Sequence, residues 1–251
     1  MTRILIAVPV FNEARTVVAV LREVLRHAAA IPEALRRPDL SFAVLALDDH
    51  STDATSELLK QLPIETIRQP RNRGYGFAMQ ETFRLARERD ADWCISIDCD
   101  EQHEPSRLVA FVRAALADKA DVISGTRYFD DSHAHDDAPA ERQAINATLT
   151  RELNAALDLR LTDAFCGFKA YRTRAVANLA LDACGYEFPM QFWVLAASAR
   201  LRIQELPIRR IYPDFARRFG NGLDDGARRL AHYRLTMQRA LQSSSLRHGA
   251  P

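Results

Sequence analysis

The four cysteines, at positions 94, 99, 166 and 184, form no C-x-x-C pair. Neither a disulfide framework nor a zinc ribbon is therefore expected, and reduced thiols in a cytosolic protein are. No apolar run approaches the ~20 residues that a membrane span requires. Met1-Thr2-Arg3 leads straight into an apolar stretch, so no secretory leader is expected. There is no internal repeat, long linker or low-complexity tract. Net charge is only +1 at pH 7, which gives no reason to expect a nucleic-acid partner. No G-x-G-x-x-G opens a helix. Gly74 and Gly76 alone are a weak signal for a dinucleotide site, so an NAD-type oxidoreductase is not expected. No glycine-rich basic loop follows the first apolar run, which argues against nucleotidyl transfer.

What is present is ordinary in amount and uneven in place. With 251 residues, 47% of them apolar, the chain can build one large α/β domain around a sizeable core. Residues 200–251 hold eleven arginines against four acids, a surplus of seven, so the first 199 residues carry a net −6. Hydrophobic periodicity predicts strands over 3–8, 41–47, 64–67, 92–97, 121–124 and 203–208, with a turn and strand within 163–172. Helices are expected from Asn12-Glu13 to about 30, then over 54–62, 77–89, 106–116, 141–157, 186–199 and 227–241. Ser51 and Thr52 are suited to cap the second helix, Pro105 fits the first turn of the fourth, and residues 31–40, with two prolines, read as a loop. This β-α alternation predicts a mostly parallel sheet flanked by helices. The expected division is a catalytic domain over 1–211 and a basic helical extension over 212–251.

The strand at 92–97 runs into Asp98-Cys99-Asp100-Glu101-Gln102. In an extended chain Asp98, Asp100 and Gln102 point to one side, and three hard oxygen donors there suit Mg²⁺ or Mn²⁺. Asn12-Glu13, Asp48-Asp49 and Arg73 also follow predicted strands, where ligands of parallel sheets bind. Their shared location points to one nucleotide-like ligand. His133 and His135 lie in a hydrophilic stretch, residues 129–138, read as a solvated loop. On the last helix Leu230, Tyr233, Met237, Ala240 and Leu241 share a face, with most arginines off it. That stripe either lies on an anionic membrane surface or packs against the domain or a second subunit.

Taken together, six stretches resemble the family 2 glycosyltransferases, with a GT-A fold. They are Val8-Pro9-Val10-Phe11-Asn12-Glu13, Asp48-Asp49-His50-Ser51-Thr52-Asp53-Ala54-Thr55, Asn72-Arg73-Gly74-Tyr75-Gly76, Asp98-Cys99-Asp100-Glu101-Gln102-His103-Glu104-Pro105, Gly125-Thr126-Arg127-Tyr128 and Asp163-Ala164-Phe165-Cys166-Gly167-Phe168-Lys169. Glu205-Leu206-Pro207-Ile208 resembles the strand that closes the domain. Within the family the likeness is to dolichyl-phosphate mannosyltransferases and their bacterial polyprenyl-phosphate relatives.

The resemblance implies a metal-dependent, inverting transferase that takes a GDP- or UDP-sugar. Pro9, Phe11 and Glu13 would line the base and ribose pocket, Asp48 and Asp49 would hold base or ribose, and Arg73 would lie near the base or diphosphate. Asp98 would contact ribose or cation, Asp100 and Gln102 would ligate the cation, and Arg127 would face an acceptor phosphate. Asp163 and Glu187 are the candidate bases. Three departures stand out. His50 replaces a frequent glycine, Glu101 adds an acid, and Gln191 replaces an acid in Gly185-Tyr186-Glu187-Phe188-Pro189-Met190-Gln191. The expected acceptor is a polyprenyl phosphate at the inner membrane face, reached by a cytoplasmic, peripherally associated protein. The rivals are a soluble or protein-attached glycan acceptor, which would need a carboxylate base, and a nucleotide-sugar binding module without turnover.

Overall fold

The structure, a computed structural model, describes residues 1–129, 139–211 and 222–248. Most of the 129–138 stretch, with His133 and His135, lies outside the described residues.

The centre of the sheet is β1 (Thr2–Val10). Its side chains alternate between two cores. Ile4, Ile6, Val8 and Val10 enter one, and Leu5 and Ala7 the other, as the period of two dictates. The strand pairs in parallel with β2 (Leu40–Asp48) and β4 (Trp93–Ser96), and β2 pairs with β3 (Glu65–Arg68). β5 (Val122–Thr126) pairs in parallel with β7 (Ile203–Pro207). Between β4 and β5 lies β6 (Lys169–Arg172), antiparallel to both, giving the order β3-β2-β1-β4-β6-β5-β7. Mostly parallel is therefore right. The one reversed strand is four residues long, too short to announce its direction by pattern.

One face of the sheet is covered by α1 (Val17–Ala34), α2 (Thr55–Leu59) and α4 (Leu108–Leu116). The other is covered by α3 (Tyr75–Glu88), α5 (Ala140–Leu157), the short α6 (Thr173–Val176), α7 (Phe188–Ser198) and α8 (Gly226–His248). On the first face the Phe111 and Phe168 rings stack with centroids 4.1 Å apart. α8 belongs to the second core. Tyr233, Met237 and Ala240 are buried in it, with Leu230 and Leu241 packed at its margin. The stripe on the last helix thus packs against the domain. The four cysteines are free thiols, and only Cys184 is exposed.

Four local expectations need correction. α1 starts at Val17 and runs through Pro32 to Ala34. Buried Ile31 extends the apolar stripe by a turn, and Pro32 sits in the last turn, where packing outweighs its missing donor. Residues 12–16 belong to a loop instead. Ser51 and Thr52 do not cap α2; Ala54 is its N-cap residue, without a side-chain cap. Finally β4 ends at Ser96, and Glu101 has a left-handed φ of 61°. Asp98, Asp100 and Gln102 therefore do not alternate along a pleat. A turn brings them together.

Candidate active site

Because β1, β2, β4 and β5 run the same way, the loops that follow them gather at one edge of the sheet. The first two interlock. Ser51 Oγ accepts the Asn12 N–H (3.0 Å), Thr55 Oγ1 accepts that of Glu13 (2.8 Å), Asp53 accepts that of Ala14 (3.2 Å), and Asn12 Oδ1 accepts that of Thr52 (2.8 Å). The polar residues of both motifs thus satisfy backbone groups that sheet and helix leave open. His50 has a φ of 65°, a left-handed turn that explains a glycine preference at this position. Its Nδ1 lies 3.1 Å from the Gln69 carbonyl.

These loops form the floor of a cleft of about 600 Å³. Glu13, Asp49, Asp98 and Asp100 line it, with Pro9, Phe11 and Gln102. Asp49 is 5% exposed and accepts the Arg73 and Gly74 N–H groups at 2.8 and 2.7 Å, which fixes the turn opening α3. Burial raises its pKa, against those two bonds. Burial and the neighbouring Asp98 charge push Asp100 up to about 6. Asp98 lies 3.2 Å from His103 Nε2 and presses on Gly167, where a Cβ would sit 1.8 Å from Asp98 Oδ2. Only glycine lets the segment leading into β6 approach this carboxylate.

Among the described residues no three His, Cys, Asp or Glu side chains form a metal cage. The donor set still fits a hard divalent cation of the kind held by one or two carboxylates plus substrate phosphates. Asp98 and Asp100 face one cleft with the Gln102 amide beside them, and a cation would relieve the repulsion that raises Asp100.

Arg127 also lines the cleft; it is 9% exposed and gripped by Asp163, at 2.7 Å from Nε and 3.0 Å from Nη2. Asp163 is fully buried and also accepts from Asn146 Nδ2 at 2.9 Å. Burial opposes its charge, but the Arg127 charge and these hydrogen bonds win and hold it well below the usual carboxylate range. From α5 and α8, Arg142, Arg228, Arg229 and His232 join the lining. Glu187, also in the lining, accepts the Gly185 N–H at 3.0 Å and lies 3.3 Å from His232 Nε2. The Tyr186 ring stacks on Tyr75 beside it, centroids 6.0 Å apart.

The expected residues divide accordingly. Pro9, Phe11, Glu13, Asp49, Asp98, Asp100, Gln102, Arg127 and Glu187 meet in the cleft. Asp48 does not. It is fully buried, and its oxygens accept from the Ser51 N–H (2.8 Å) and the Ser56 hydroxyl (2.5 Å), so it shapes the turn rather than holding a base or ribose. The exposed Arg73 side chain lies over the Phe77 ring at 3.5 Å. Asp163 stands behind Arg127, ionised and occupied, which unsuits it as a base. Gln191 spans residues 182 and 183, its Oε1 accepting the Asp182 and Ala183 N–H groups at 2.9 and 2.8 Å. It latches a loop and does not line the cleft. Arg142, Asn146, Arg228 and His232 escape the sequence reading because no motif marks a residue that reaches the cleft from a distant helix.

Residues 5–179 match the family model described as glycosyl transferase family 2. An undecaprenyl-phosphate mannosyltransferase of Micrococcus luteus is 28% identical, over 82% of this chain and 82% of its own length. A UDP-N-acetylglucosamine–dolichyl-phosphate N-acetylglucosaminyltransferase of Methanococcus voltae is 24% identical, over 77% of this chain and 84% of its own. Among solved structures, glucosyl-3-phosphoglycerate synthase from Mycobacterium tuberculosis, in complex with Mn²⁺, UDP and glucosyl-3-phosphoglycerate, superposes with a TM-score of 0.67 at 18% identity. That match covers 94% of this chain and 80% of the synthase chain. The fold is GT-A, with an added C-terminal helix.

Proposed function

This chain belongs to glycosyl transferase family 2, and we propose that it moves a sugar from a nucleoside-diphosphate donor to a polyprenyl phosphate with inversion at the anomeric carbon. The observation that carries the reading is the cleft's charge: Asp98 and Asp100 line it together with Arg127, whose positive charge acts on Asp100. The names of the two sequence relatives, both transferring to lipid phosphates, support the acceptor.

In this reading Pro9, Phe11, Glu13 and Asp49 receive the base and ribose. Asp98, Asp100 and Gln102 hold Mg²⁺ or Mn²⁺, a pairing supported by the Mn²⁺ and UDP named for the similar synthase. When bound, the cation offsets charge that builds on the departing diphosphate. Arg127 meets the acceptor phosphate, and Asp163 fixes the direction of its guanidinium. An ionised phosphate attacks without a base. A polyprenyl phosphate lies in a bilayer, so the protein would work at a membrane face by peripheral contact; no described helix is long and apolar enough to cross one.

A second reading keeps the donor and changes the acceptor to a soluble hydroxyl. The Glu187–His232 pair favours it, because a carboxylate in the cleft lining could take the hydroxyl proton. The test is turnover with GDP- and UDP-sugars, Mn²⁺ and a short-chain polyprenyl phosphate, followed as nucleoside diphosphate release and lipid-linked sugar. Lipid-linked product, lost with excess EDTA, is expected. Release only with soluble hydroxyl acceptors supports the second reading, and nucleotide binding without turnover under any of these conditions removes both.

A further inference from the structure

We propose, resting on the transferase reading above, that Thr16 is a positioning residue that couples nucleotide binding to cation binding. It does so by sharing one hydroxyl proton between Glu13 and the loop that carries Asp98 and Asp100. Thr16 Oγ1 lies 2.9 Å from Glu13 Oε2 and 2.7 Å from the Cys99 carbonyl oxygen. Glu13 lines the cleft, and so do Asp98 and Asp100, which flank Cys99 in the chain. One side chain thus touches both the residue assigned to base and ribose and the loop assigned to the cation.

The hydroxyl stands where another use is expected. Thr16 is the N-cap residue of α1, and a threonine there ordinarily accepts a backbone N–H of the first helical turn. It makes no such cap bond. The helix forgoes a cap that its own sequence supplies, and the hydroxyl is turned toward a residue 83 positions away. Both ends of the bridge are anchored. The Glu13 carbonyl accepts the Thr16 and Val17 N–H groups at 3.1 and 2.9 Å, so Glu13 and Thr16 form one closed turn. The Glu13 N–H is itself bound by Thr55 Oγ1. Cys99 is 2% exposed, its side chain in the core that α1 covers. Beyond it the Gln102 N–H goes to Asp100 Oδ1 at 3.1 Å, which closes the loop locally, and Thr16 ties that loop to the first motif.

A hydroxyl has one proton to give, and a carboxylate and a carbonyl both only accept. While Thr16 donates to Glu13, the Cys99 carbonyl faces an oxygen lone pair, and while it donates to Cys99, Glu13 does. A base N–H or ribose O–H donated to Glu13 satisfies that carboxylate and releases the Thr16 proton to the Cys99 carbonyl. The loop is then held in the form in which Asp98, Asp100 and Gln102 converge. A cation bound to that form favours the same proton position. By linkage the two ligands strengthen each other by one common factor.

The test is calorimetric titration of the full chain with UDP and with GDP, each in Mn²⁺ and in EDTA, for the parent, Thr16→Val and Thr16→Ser. The coupling is the ratio of the two affinities. Contact between cation and diphosphate enters that ratio in every variant, so a change between variants reads the protein's part. In Thr16→Val the ratio should fall about three- to tenfold, the contribution of one hydrogen bond, with affinity in EDTA within about twofold of the parent. Thr16→Ser keeps the hydroxyl and should keep the parent ratio. Linkage requires the same change in Mn²⁺ affinity with and without nucleotide, read from the paramagnetic resonance of free Mn²⁺. An equal loss of affinity in Mn²⁺ and in EDTA would make Thr16 only a support of the nucleotide pocket. That result, or an unchanged ratio in Thr16→Val, overturns the coupling. The valine removes no helix cap, so the variant is expected to fold. Should it unfold, Thr16→Ala carries the comparison, and unfolding of both overturns the inference in favour of a purely structural hydroxyl. A parent that binds neither nucleotide in Mn²⁺ overturns the transferase reading itself, which normal binding with an unmoved ratio leaves standing.

Discussion

Asp98 and Asp100 line the same cleft, and their mutual repulsion is the most direct sign of what belongs between them. Asp100, raised to about 6 by burial and by Asp98, is ionised at neutral pH and takes a proton below about pH 6. A cation competes with that proton. Mn²⁺-dependent binding of UDP or GDP should therefore hold between pH 7 and 8 and fall about tenfold per pH unit below 6, one proton being taken up as the cation leaves. Calorimetry across that range checks it, and a flat profile from pH 7 to 5 would remove Asp100 from the cation site. Asp163 behaves in the opposite way. Its folded pKa is depressed, so its stabilisation is present above the unfolded value of about 3.9 and is lost as pH falls toward the folded one. In Asp163→Asn the Arg127 charge stays buried without its counter-charge, a loss of about 3–5 kcal/mol. Denaturant unfolding at pH 7 should show it. If stability were unchanged and only the pH–rate profile moved, Asp163 would be acting as a base and not as a support for Arg127.

At the scale of elements the informative one is α8. Met237 is 8% exposed and Leu235 43%, two residues apart on opposite sides of the helix. Met237→Ala should cost about 2 kcal/mol or more, whereas Leu235→Ala should stay within roughly 0.5 kcal/mol. Urea melts of both variants check the assignment, and equal small effects would mean that α8 does not belong to the core. The spacing of Leu230, Tyr233 and Met237 made the apolar face legible in the sequence, but not what covers it, since the cover comes from α5 and α7. The same limit recurs at the site. Asp49 and Asp48 are adjacent and chemically alike, yet one faces the cleft and the other a serine turn, because a one-residue step reverses direction. The parallel strands were legible from their apolar runs. β6 was not read as antiparallel, since direction is set by the sheet around it. Asp98, Asp100 and Gln102 were found as a group for a reason that fails: they converge through a turn with Glu101 left-handed, not along an extended strand.

Across the whole molecule the charge asymmetry resolves into contacts. Arg202 binds Asp118 and Asp121, Arg209 lies 3.7 Å from Glu104, Arg229 meets Glu141 and Arg234 meets Glu152. Much of the basic C-terminal part is thus matched to the acidic body. Each exposed pair contributes little alone, but together they set how α8 and β7 lie against the rest. This arrangement constrains any attachment to a bilayer. Laying the apolar face of α8 into lipid would strip Tyr233, Met237 and Ala240 from the core and expose the residues they cover, among them the Glu187 side of the cleft. A membrane contact compatible with this fold uses exposed arginines such as Arg228 and Arg239 and leaves the stripe in place. Attraction of that kind is worth on the order of 1 kcal/mol per arginine and is screened by salt. In a flotation assay the protein should rise with anionic liposomes at low salt, return to the pellet fraction at roughly 0.5 M salt, and ignore neutral liposomes throughout. Intrinsic fluorescence should be unchanged on binding, because Trp193 stays in the core beside α8. Salt-resistant flotation with neutral liposomes, together with a Trp193 emission shift, would mean that α8 leaves the domain to insert, and the electrostatic contact would then be the wrong description.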